Sequence, residues 1–311
     1  MTSPAIAIND LTVTYPGGLF RAPRRGVNGL SFTVDRGELF GFLGPNGAGK
    51  TTTIKVLTGL LAPDGGGIRI MDADIRDRAT RRRIGFMPEN PYFYEHLTAR
   101  ESLHMYGGLF DLPRAAVRSR ADVLLERVGL RGVDRVRVGA YSKGMRQRLG
   151  FAQALINEPD VVILDEPLSG LDPIGRAEMM NIIRDLHRSG TTVFFSSHIL
   201  PDVEHTCTRV ALINQGRLIT IGPLDEIIRA GGHSVEIVIR GAADAVAAAA
   251  PGYPAEARPS DLIAVIVPDQ PAANAVIRAA AGRGLEIVSV EPGRQTLESV
   301  FIELVQKASG G

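Results

Sequence analysis

Apolar residues recur along this chain with two periods. Where they alternate with polar ones, in Ala5-Ile6-Ala7-Ile8 and Leu11-Thr12-Val13-Thr14-Tyr15, a half-buried strand is expected, with Asn9-Asp10 as a turn or bulge between the halves. Residues 30–34 repeat the pattern and close at Asp35-Arg36-Gly37, and residues 38–43 read as a short buried strand. Residues 52–57 open a helix that stops by Pro63-Asp64-Gly65-Gly66-Gly67, with extended chain at 68–70 and a further short strand at 84–88. Helices are expected at 97–112 and 115–128. Another is expected at 142–157, where apolar residues fall at 145, 149, 152, 155 and 156. The unbroken run Val161-Val162-Ile163-Leu164 suits a parallel strand buried on both faces. A helix at 175–188, a strand at 192–196 and a hairpin at 212–219 turning at Gly216 complete a mixed α/β region that runs to about residue 230. Between the first two strands, residues 19–29 carry Arg21, Arg24 and Arg25 around Pro23 and read as a solvated basic loop.

Composition shifts at Ala230-Gly231-Gly232, a linker. Beyond it, β-like runs at 235–239, 262–267 and 285–290 alternate with helix-like stretches at 242–250, 272–281 and 297–305, an order that fits a small α/β sandwich of the ferredoxin type. Two domains, 1–230 and 231–311, match the length. A formal charge of +1, from 35 basic and 34 acidic residues, argues against a broad nucleic-acid surface. The lone Cys207 excludes an internal disulfide and suits a reducing cytoplasm, and the six histidines are too scattered to suggest a metal site. Residues 1–9 lack the pattern of a signal peptide, and no apolar run approaches the roughly 18 residues that span a bilayer. The chain is therefore expected to be soluble and to reach a membrane only through another protein.

Candidate chemistry centres on Gly44-Pro45-Asn46-Gly47-Ala48-Gly49-Lys50-Thr51, a phosphate-loop pattern lying between a strand and a helix. Inward backbone N–H groups and the helix N-terminus favour polyphosphate there. Lys50 would reach the outer phosphates and the Thr51 hydroxyl would ligate Mg²⁺. A second pattern, residues 161–164 followed by Asp165-Glu166-Pro167, ends a buried strand in two carboxylates. Asp165 is placed to hold Mg²⁺, and Glu166 to orient or deprotonate an attacking water.

With both patterns present, the sequence resembles the ATP-binding subunit of an ABC transporter over its first ~230 residues, a span of domain size. Tyr141-Ser142-Lys143-Gly144-Met145 corresponds to the family signature written LSGGQ, with Lys143 and Met145 in place of a glycine and a glutamine. The resemblance implies a phosphate-loop NTPase fold with a helical subdomain, plus the small C-terminal α/β domain. It implies a head-to-tail pair of ATPase subunits in which the signature Ser142, Lys143, Gly144 and Met145 of one copy closes over the nucleotide held by the other, with Ser142 and the Gly144 N–H binding its γ-phosphate and Lys143 adding positive charge nearby. By the same resemblance Tyr15 stacks on adenine, and Thr52 joins the loop residues 44–51 in binding ATP. Asp172 belongs to the D-loop, and His198 is the switch histidine. Glu89 stands where the family's Q-loop has glutamine, as a Mg²⁺ ligand and sensor. Residues 141–148 and Thr296-Leu297-Glu298-Ser299-Val300-Phe301 resemble exporters with separate membrane permease chains, so ATP hydrolysis coupled to transport is expected, at the inner face of the cell membrane. A soluble ABC-family ATPase acting on ribosomes or DNA is the competing expectation, and a small phosphate-loop kinase leaves residues 142–148 and Asp172 unexplained.

Overall fold

Each apolar run finds the partner that its period requires. The structure, a computed structural model, describes residues 3–17, 24–204, 206–230, 234–292, 297–301 and 304. It divides into two compact units, Met1–Leu224 and Asp225–Gly311. In chain order the first unit opens with strands β1 (Ile6–Tyr15), β2 (Arg24–Val34) and β3 (Leu39–Leu43), helix α1 (Lys50–Leu57), and strands β4 (Gly65–Ile70) and β5 (Ala73–Asp74). Helix α2 (Arg78–Arg81), strand β6 (Ile84–Met87) and helices α3 (Ala99–Leu109), α4 (Arg114–Arg127) and α5 (Lys143–Leu155) follow. Then come β7 (Val161–Asp165), α6 (Pro173–Arg188), β8 (Thr192–Ser197), α7 (Leu200–Glu204), β9 (Arg209–Asn214) and β10 (Arg217–Pro223); α8 (Leu224–Ala230) begins on the last residue of this unit and continues in the next.

Among the described residues, the central sheet has the order β10-β9-β3-β8-β7-β6, parallel except for the β9–β10 hairpin. A second, antiparallel sheet runs β2-β1-β4-β5. Both sheets feed one core. Phe32 of β2 stacks on Phe40 of β3 at 5.6 Å between ring centroids, and Phe40 stacks on Phe194 of β8 at 5.8 Å. That aromatic layer fixes β3, and with it the loop that leaves the end of β3. Helices α3, α4 and α5 pack on one another as the helical layer of this unit.

The basic segment expected to be a loop is partly a strand. β2 begins at Arg24, and Arg24 pairs with Tyr15. Arg24 and Arg25 are exposed and Val27 is the one buried residue among the first five of β2, so no alternation announces the strand. Residues 19–23 of that expected loop lie outside the described residues.

The second unit contains β11 (Val235–Arg240), α9 (Ala243–Ala249), β12 (Ala255–Arg258), β13 (Leu262–Val267), α10 (Gln270–Ala281) and β14 (Glu286–Pro292). Its sheet is antiparallel with order β12-β13-β11-β14. This is the βαββαβ order of the ferredoxin type, completed by β12, a fully exposed strand that three apolar runs could not announce. Residues 297–301 are helical, with Leu297 and Val300 buried. The expected linker at Gly231-Gly232, Thr296, and positions 302, 303 and 305 of the expected last helix lie outside the described residues. No helix among the described residues is long and apolar enough to cross a membrane.

Candidate nucleotide site

The end of β3 and the start of α1 hold residues 44–49 as a tight loop around empty space. Gly49 has φ 107°, and a Cβ on it would come within 2.5 Å of the Gly26 carbonyl, so only glycine fits. A cavity of about 320 Å³ opens on this loop. Pro45, Asn46, Gly47, Gly49, Lys50, Thr51 and Thr52 line it together with Tyr15, Glu89, Glu166 and His198, so distant parts of the sequence converge on one space. Gly44 and Ala48 sit behind the lining. The Gly44 carbonyl accepts a hydrogen bond from Lys50 Nζ at 2.7 Å, and the Ala48 carbonyl accepts one from the Gly216 N–H at the β9–β10 turn. The Tyr15 hydroxyl lies 3.1 Å from Thr52 Oγ1, which holds the ring at the cavity mouth.

Opposite the loop, β7 ends in Asp165, and Glu166 follows it. Lys50 Nζ is 3.2 Å from Glu166 Oε1, and Glu166 Oε2 is 2.7 Å from His198 Nδ1. The three side chains form a continuous polar chain with Glu166 at its centre. Glu166 adopts a left-handed backbone, φ 48°, which strains a residue with a Cβ. The Ser196 hydroxyl secures it, accepting from the Glu166 N–H at 3.0 Å and donating to Asp165 Oδ1 at 2.7 Å. Burial pushes the Asp165 carboxyl above its ordinary range. The Ser196 hydroxyl opposes this, the negative charge of Glu166 adds to it, Thr51 opposes it and Glu89 adds to it more weakly.

Ser142, Lys143, Gly144, Met145 and Asp172 do not reach this cavity. They line a separate cleft with Arg148 and Leu171. Ser142 caps α5, its Oγ accepting from the Met145 N–H at 3.2 Å, and Asp172 caps α6 by accepting from the Gly175 N–H at 2.8 Å. The Lys143 side chain lies across Gly170 of its own chain, its Nζ in the space that a Cβ on that glycine would take.

Two groups at this site carry no sequence signal beyond their position. Ser196 is the first polar residue after an apolar run, and Gln147 is a buried amide on the inner face of α5. Gln147 Nε2 donates to the Glu89 carbonyl at 3.3 Å and to the Pro167 carbonyl at 3.1 Å. One side chain thereby joins the helix capped by Ser142 to the turns that carry Glu89 and Glu166.

The family profile described as ABC transporter matches residues 27–169. An uncharacterized ABC transporter ATP-binding protein of Nostoc sp. is 46% identical over 230 residues, covering 73% of this chain and 69% of the relative. The daunorubicin resistance ATP-binding protein DrrA3 of Streptomyces coeruleorubidus is 38% identical over 303 residues, covering 95% of this chain and 96% of the relative. A solved ATP binding subunit of an ABC transporter matches with a TM-score of 0.64 at 32% identity, covering 73% of this chain and 92% of that one.

Proposed function

The chain belongs to the ABC transporter family of ATP-binding proteins, and from that premise we propose that it is the ATP-hydrolysing motor of an exporter whose membrane-spanning part is a separate chain. The observation that carries the reading is the Lys50–Glu166–His198 chain set inside the phosphate-loop cavity. A loop of backbone N–H groups with a lysine binds polyphosphate. A carboxylate facing it from a buried strand end is what water attack on a phosphate needs.

Tyr15 would stack on the base, and residues 44–52 would hold the phosphates. The oxygen donors Thr51, Asp165 and Glu89 fit a hard divalent cation. Asp165 is buried with its carboxyl pushed up in the presence of two neighbouring carboxylates, an excess of negative charge that such a cation relieves. Among the described residues no three His, Cys, Asp or Glu side chains gather into a metal site of their own, so phosphate oxygens would complete the set. Held by those donors, Mg²⁺ would supply charge neutralisation and Lewis acidity at the phosphates. Glu166 orients and deprotonates the water, and His198 holds the Glu166 carboxylate in place from the far side. Once phosphate attracts Lys50, the inner carboxylate oxygen is free for that work.

Ser142 to Met145 lie in their own cleft, and this supports the head-to-tail pair, in which each copy supplies its signature to the nucleotide of the other. The segment 89–98 carries Tyr92 and Tyr94, both exposed, and is the proposed contact with the permease that holds the motor at the inner face of the membrane. Residues 231–311 are proposed as an accessory α/β domain. The full-length similarity to a daunorubicin resistance protein favours export as the direction.

Glu166→Gln is the test. The variant is expected to bind ATP, to lose hydrolysis by a factor of about 10² or more in a phosphate-release assay, and to run as an ATP-dependent dimer in size-exclusion chromatography. Normal turnover would remove Glu166 from the role of base.

A further inference from the structure

Arg24 opens β2 directly opposite Tyr15 in the antiparallel pair. Residues in that relation project to the same face of a sheet, so the guanidinium shares the face that Tyr15 presents to the nucleotide cavity. It lines that cavity. Its Nη2 atom is 3.2 Å from where a Cβ on Gly47 would stand, which puts it directly over the phosphate loop.

Among the described residues, no carboxylate or carbonyl accepts a hydrogen bond from this guanidinium. Lys50, by contrast, is held by the Gly44 carbonyl and Glu166, and Arg25 is spent on Asn28. Among the described residues that line it, the cavity thus has one engaged cation, Lys50, and one without an acceptor, Arg24, facing two carboxylates, Glu89 and Glu166. With His198 neutral its formal lining charge is zero, and without Arg24 it would be −1, a poor surround for a polyanion. Guanidinium offers paired N–H donors matched to phosphate oxygens, which a single ammonium cannot reproduce.

The geometry points to Arg24 as a second cation for the polyphosphate, reaching over the loop from the edge of the antiparallel sheet while Lys50 acts from below. This rests on the reading that the cavity takes ATP. It makes Arg24, the first residue of β2, part of the binding site rather than of a solvated loop.

Isothermal titration of ATP, ADP and adenosine into the full-length chain tests it, with R24A, R24Q and R24K beside the wild type. R24A and R24Q are expected to bind ATP and ADP about tenfold more weakly and adenosine unchanged, as loss of one charged hydrogen-bond donor to phosphate requires. R24K is expected to recover part of the loss, and added salt to narrow the gap between wild type and R24A. ATP affinity unchanged in R24A and R24Q would overturn the assignment while leaving the ATP reading intact. An equal loss for adenosine would move Arg24 to the base and overturn its phosphate role. A wild type that binds none of the three would overturn the ATP reading and this inference together.

Discussion

Ser196 lies fully buried at the end of β8, where its hydroxyl serves two neighbours at once: it accepts from the Glu166 N–H and donates to Asp165. Ser196→Ala removes both bonds and leaves a buried N–H without a partner. A loss of stability of roughly 1–3 kcal/mol is expected from urea unfolding. Hydrolysis should fall as well, since the left-handed turn at Glu166 is then no longer pinned; a phosphate-release assay on the folded variant reads that effect separately. At this scale the sequence was most legible where a spacing rule applies. Residues 44–51 and the pair Asp165-Glu166 follow patterns whose chemistry demands those residue types, and the structure gathers Lys50, Thr51, Glu89, Glu166 and His198 into one cavity. Ser196, Gln147 and Arg24 were not legible. A serine at a strand end, an amide on a helix and an arginine near a proline are each common, and only three-dimensional proximity gives them work.

Arg100 ties two helices and a loop together. From α3 its guanidinium reaches Asp122 on α4 and Asp134 beyond it, donating to Asp134 Oδ2 from Nε at 3.1 Å and from Nη2 at 2.9 Å. Burial works to raise the Asp134 carboxyl. The hydrogen bonds from Arg100 and the Gly132 N–H, with the charge of Arg100, outweigh it and hold the group below its ordinary value. A carboxyl depressed on folding adds stability above its unfolded pKa, and that contribution fades as pH falls through the folded value. Unfolding free energy measured from pH 7 downward should therefore decline below about pH 4, the unfolded reference for Asp. In Asp134→Asn this part of the decline should be missing, with lower stability at pH 7. Elements with buried residues were legible from their apolar positions, β7 from an unbroken run and α5 from a helical spacing. β12 and the first half of β2 were not, because burial is what writes a period into a sequence and these segments have almost none.

Each of the two units has a core of its own, and Ile237 is fully buried in that of the second. Ile237→Ala should cost the second unit about 2–5 kcal/mol. Hydrogen exchange is expected to speed up across β11, β13 and β14 and to stay unchanged in β3 and β7; acceleration in both units would mean that they unfold together. The order of strands in the second unit needed all four of them to be recognised, whereas the nucleotide-binding unit could be read from two motifs. Lys50 has a mate inside the protein, and that mate is the group proposed to pull a proton from water. On the proposed reading, whatever draws the ammonium toward phosphate also unmuzzles the base, so loading the fuel and arming the chemistry would be one event.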